Sequence, residues 1–76
     1  MIELYIKNPE TGETLYPETL LKLNRFDNIT WILKYGWYPF DPNHLTCGWY
    51  LMNKDDHKII RPLQMNDFDD IYLIGK

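Results

Sequence analysis

One cysteine, four glycines and no run of lysine or arginine set the first limits on this 76-residue chain. With Cys47 alone, no intramolecular disulfide can form, so the staples of a small secreted domain are absent and a reducing, cytoplasmic setting is expected. The opening Met-Ile-Glu-Leu-Tyr-Ile places no basic stretch ahead of an apolar run, which argues against a secretion signal and leaves the glycosylation match Asn28-Ile29-Thr30 idle. No apolar run approaches the roughly 20 residues of a spanning helix, so no membrane partner is expected.

Positive charge is also scarce. Eight basic residues stand against 11 acidic ones, for a net charge of −3, with the signs mixed along the chain. A nucleic-acid surface requires a basic excess on one face, which makes nucleic acid an unfavoured partner. There is no glycine-rich phosphate loop, no Ser-His-Asp set and no His-Glu-x-x-His. A chain of this length spares little volume for a ligand pocket. The expectation is therefore a protein that is not an enzyme, with no catalytic residue and no cofactor.

What the chain does contain is aromatic mass, concentrated in its middle. Residues 31–50 hold seven of the 12 aromatics: Trp31, Tyr35, Trp37, Tyr38, Phe40, Trp49 and Tyr50. This middle third carries only Lys34 and Asp41 as charges. Within it Gly-Trp-Tyr occurs twice, at 36–38 and 48–50, separated by a turn-rich insert at 39–47. Large rings with a polar handle serve equally as core and as binding surface. In a strand, adjacent residues point to opposite faces, so each Trp-Tyr pair puts one ring toward the core and leaves the other to be covered by something else.

The chain is expected to form one domain, residues 1–76, of the α+β class. Alternation of Ile2, Leu4 and Ile6 with polar neighbours reads as a strand at 2–7, returning through the turn formers at 8–13 to a short partner at 14–16. Pro17 and Glu18 read as the first turn of a helix at 17–25, with Leu20, Leu21 and Leu23 on its apolar side. Asp27 reads as the N-cap and Gly36 as the C-cap of a second helix at 28–35. Its β-branched Ile29, Thr30 and Ile32 keep a strand at 29–35 open as an alternative. A hairpin follows, 48–53 returning at 58–61 through the polar loop 53–57, and a last strand spans 71–74. The sum is an antiparallel sheet of about four or five strands with one or two short helices on one face.

Four constellations bear on chemistry. His44, Cys47 and His57 are the imidazole and thiol groups, but they offer one close pair where a structural zinc site takes two, so no metal is expected. A nucleophilic Cys47 lacks an electropositive neighbour, and a small buried thiol is the plainer reading. Asp67, Asp69 and Asp70 lack the spacing and turn glycine of a calcium loop and read as a solvated acidic loop. Residues 28–35, with one lysine, are too apolar for the recognition helix of a DNA-reading helix-turn-helix.

Surface recognition remains. A charge-poor aromatic patch with a polar rim is the composition of a protein interface. The expected partner-binding residues are Trp37, Tyr38, Phe40, Trp49, Tyr50 and Arg61, and the expected function is a protein-binding adaptor or inhibitor. A second copy of the chain is another possible cover for the rings. The competing readings are base stacking on single-stranded nucleic acid and an acidic mimic, carried by Asp67 to Asp70, that blocks a nucleic-acid-binding partner.

Overall fold

The computed structural model describes residues 4–74, and of Phe40 the backbone alone. Those residues form seven strands and two 3-10 turns. Strands β1 (Ile6–Lys7) and β2 (Thr14–Leu15) make a small antiparallel hairpin. Strands β3 (Leu20–Leu23), β4 (Trp31–Asp41), β5 (His44–Asn53), β6 (Ile60–Pro62) and β7 (Ile71–Leu73) make an antiparallel sheet in the order β6-β5-β4-β3-β7.

The α+β expectation is overturned: among the described residues there is no α-helix, and the protein is nearly all-β. Where a helix was expected at 17–25, Glu18 takes a left-handed backbone (φ 73) that breaks any helical start. Leu20–Leu23 then alternates half-buried and buried, the period of a strand. Leu-Leu-Lys-Leu satisfies both a 2.0 and a 3.6 period, and pairing on both sides, with β4 and with β7, decides between them. The expected helix at 28–35 is also overturned in favour of strand. Asp27 closes the 3-10 turn Asn24–Phe26, and Gly36 lies within β4. Of the β-branched residues that weakened the helix, Ile32 lies in β4 and suits its pleated, half-buried surface, whereas Ile29 and Thr30 precede the strand.

The returning hairpin is present as β5 and β6, and the last strand as β7. The N-terminal hairpin is present over 6–15; the strand residues expected at 2 and 3 lie outside the described residues. The insert at 39–47 is strand except for Pro42 and Asn43, which turn the chain between β4 and β5.

The core lies against one face of the sheet. Leu21, Leu23, Trp31, Leu33 and Leu51 point to that face, and Leu15 and Phe68 close over them. The crossing from β6 to β7 runs over this face, because β7 pairs with β3 at the edge far from β6. That crossing brings Leu63, Asp67 and Phe68 down as cover. Asn8, almost wholly buried, ties the small hairpin to the same segment: its Nδ2 donates to the Phe68 carbonyl at 2.9 Å and its Oδ1 accepts the Glu10 N–H at 2.9 Å.

The covering segment is pinned by charge. Asp67, with no exposed surface, accepts from Arg25 and from Arg61 Nη2 at 3.1 Å, and its other oxygen takes the Gln64 N–H at 3.0 Å. Arg25 Nε also pairs with Asp70 at 3.1 Å. Both guanidinium groups sit near the Phe26 ring, 5.8 and 5.5 Å from its centroid. The solvated acidic loop expected at 67–70 is therefore corrected at Asp67. A buried carboxylate persists only where donors compensate its desolvation, and here two arginines and a backbone amide supply them.

Candidate functional site

The β4–β5 hairpin outgrows the sheet that holds it. β3 pairs with β4 only at Trp31 and Ile32, with backbone bonds extending to Leu33, and β6 pairs with β5 from Tyr50 to Met52, with backbone bonds extending to Trp49 and Asn53. The hairpin itself continues to the Asp41/His44 pair, so residues 35–47 form a two-stranded arm. Its tip is closed by Asp41, whose Oδ1 accepts the Asn43 N–H at 2.8 Å and whose carboxylate meets His44 Nδ1 at 3.0 Å.

Register sorts the arm's side chains. Gly36 stands opposite Gly48, so the two Gly-Trp-Tyr tripeptides run antiparallel about a local two-fold axis between the glycines. Trp37 and Trp49 fall on the face that carries the core further along the hairpin, and Tyr38 and Tyr50 fall on the other. The cover of Phe68, Leu63 and Leu15 reaches as far as Trp49, which packs half-buried on the core cluster. Tyr35 meets Trp49 edge-on, with centroids 5.1 Å apart. Beyond that point the face is open: Trp37 is 69% exposed, as is Leu45. On the reverse face Tyr38 and Tyr50 meet at 4.9 Å across the glycine level, and Tyr38 is buried to 6% exposure.

The expected binding set is thus divided. Trp37 is presented to solvent, Trp49 is half core, Tyr38 and Tyr50 pack on each other on the opposite face, and the side chain of Phe40 lies outside the description. Arg61 stands on β6 and is committed to Asp67. Tyr35 and Leu45, outside the expected set, are also exposed beside Trp37. Cross-strand register brings them to the same face, and the alternation Tyr35, Trp37, Pro39 is the signal that carries them.

The arm also presents backbone. Leu33 donates its N–H to Thr19 at 2.9 Å and accepts from the Glu18 N–H at 2.7 Å, so odd-numbered residues of β4 turn their peptide groups to the outer edge. Past Glu18 no described strand meets the outward groups of Tyr35 and Trp37. Pro39, next in that series, has no N–H to offer.

Chemistry on the arm is limited to one pair. Cys47 is exposed, a correction to the buried thiol expected, and its Sγ lies 4.0 Å from the Tyr35 hydroxyl. Tyr35 is held above the ordinary tyrosine range, first by its hydrogen bond to the Cys47 sulfur, next by repulsion between phenolate and thiolate, and last by slight desolvation. Among the described residues no three His, Cys, Asp or Glu side chains converge to hold a metal. No described helix is long and apolar enough to cross a membrane. No protein-family model matches the chain, and searches of curated proteins and of solved structures find no match either.

Proposed function

We propose that the protein is a non-enzymatic binding module, an adaptor or inhibitor, that engages another protein through the β4–β5 arm. The observation that carries this reading is Trp37, 69% exposed on a charge-poor arm whose outer edge leaves peptide groups unpaired. A large exposed ring and an open strand edge are the two elements by which an extended peptide adds to a sheet. Main-chain bonds supply affinity, and alternate side chains find Trp37 and Leu45 on one face. The acidic-mimic reading needs its aspartates outward, and of the three only Asp69 is exposed.

The test is affinity capture of the tagged chain from its host's lysate, with and without nuclease, beside Trp37→Ala. A stoichiometric protein partner that survives nuclease and is lost with Trp37→Ala is the expected result. Capture that vanishes with nuclease would transfer the arm to nucleic acid, and capture unchanged by Trp37→Ala would overturn the arm as the binding surface.

A further inference from the structure

The face of the main sheet opposite the core carries a row of five aliphatic side chains, one from each of β3 to β6 and Ile74 just past β7. Leu20 pairs with Ile32, Ile32 with Met52 and Met52 with Ile60. Ile74 extends the β3–β7 register by one residue, its N–H donating to Leu20 at 3.3 Å. None of the five belongs to the core cluster, and all five are half-buried. The flanking positions on this face are Lys22, Tyr72, Thr30 and Lys54 to one side and Lys34, Tyr50 and Pro62 to the other. Lys34 is paired with Glu18 at 2.7 Å, and the Glu18 side chain is itself 67% exposed.

We propose that this face is the interface of a homodimer, two copies stacked sheet on sheet. Sheet faces pack on one another at about 10 Å with strands nearly aligned, and an amphipathic sheet requires cover on any face that is apolar. The row is aliphatic across the sheet, and a second copy of the same row supplies a matching aliphatic face. Five strands about 4.8 Å apart, with three rows of side chains about 7 Å apart, give roughly 480 Å² per copy, or about 1,000 Å² in all. That is the lower bound for a specific interface, so the dimer is expected to dissociate on dilution.

Charge agrees with self-pairing. A two-fold axis along the row lays aliphatic on aliphatic across all five strands, and it carries Lys22 of one copy over position 18 of the other. There the exposed Glu18 carboxylate, already shared with Lys34, can accept a second ammonium. This interface is separate from Trp37, which projects on the core side of the hairpin, so dimerisation and partner binding stand or fall independently.

The test is sedimentation velocity of the whole chain over a concentration series. The wild type is expected to approach twice its 9.2 kDa chain mass at high concentration. Met52→Lys, at the row's interior, is expected to weaken the dimer by about hundredfold or more through like-charge contact. Near-UV circular dichroism checks that the variant is folded, and Ile60→Lys on the edge strand β6 serves if Met52→Lys is not. Lys22→Glu is expected to weaken the dimer and added Glu18→Lys to restore it. A wild type that stays at the monomer mass throughout would overturn the proposal. So would a dimer that both Met52→Lys and Ile60→Lys leave intact, or one abolished by Trp37→Ala alone.

Discussion

Gly36 and Gly48 face one another across the long hairpin, yet they are glycine for different reasons. Gly36 holds φ 149, which side chains rarely adopt, whereas Gly48 has an ordinary backbone; a Cβ at either would meet no atom within 4 Å. The Tyr38 and Tyr50 rings converge over this level without filling it.

Two alanine substitutions are therefore expected to part company. Gly36→Ala forces a strained backbone and should cost about 1–3 kcal/mol. Gly48→Ala adds a methyl to open space and restricts the unfolded chain, so it should be neutral or stabilising by up to about 1 kcal/mol. Urea denaturation of the two variants checks this; equal losses would show that space, and not φ, constrains the pair.

Trp37→Ala should leave the fold intact, with stability within about 0.5 kcal/mol of wild type, because the ring packs on nothing that holds the core. Partner binding should fall by about 2 kcal/mol or more, roughly thirtyfold, as for a central interface tryptophan. Thermal melting beside a binding isotherm separates the two effects. A large drop in melting temperature would assign Trp37 to the fold.

Asp67→Ala should be among the most damaging single changes, about 3–5 kcal/mol, because it removes the shared acceptor of Arg25 and Arg61 and a capping contact to Gln64. The neighbouring exposed Asp69→Asn should cost under about 0.5 kcal/mol. Chemical denaturation of the pair is decisive, and similar losses at both positions would mean that the arginines do not depend on Asp67.

The Tyr35–Cys47 pair predicts a pH signature. Tyr35's folded pKa lies above its unfolded value near 10, so the fold favours the protonated phenol. That contribution is present below the unfolded pKa and is lost as pH rises through the folded one. In a tyrosinate absorbance titration the Tyr35 phenol should ionise above the ordinary tyrosine range, and Cys47→Ala should return it to that range. A titration unchanged by Cys47→Ala would dissociate the two groups.

The strands at the chain's ends were legible because nothing competed with a period of two: Ile6 and Lys7, Ile60 to Pro62 and Ile71 to Leu73 are short, each led by a β-branched isoleucine, and bounded by turn formers. The middle was not. Leu20–Leu23 is too short to reveal its period, and Gly36 carries the same residue type whether it stops a helix or sits strained in a strand. For the site, alternation correctly sent Trp37 and Tyr38 to opposite faces but could not say which was covered. That depends on where the 63–68 segment ends, and its path is fixed by Asp67 reaching Arg25, 42 residues away, a long-range pairing with no local pattern. The same carboxylate also takes Arg61 at 3.1 Å.

Pro39 also limits what the open edge of β4 can become. An added strand finds donors at Tyr35 and Trp37 and then a missing one, so pairing stops after a few residues. At the other side of the sheet Pro62 interrupts β6 in the same way. An edge that accepts a short guest and refuses a long one lets the arm stay exposed in a crowded cell without seeding the endless stacking of chains that ends in a fibre.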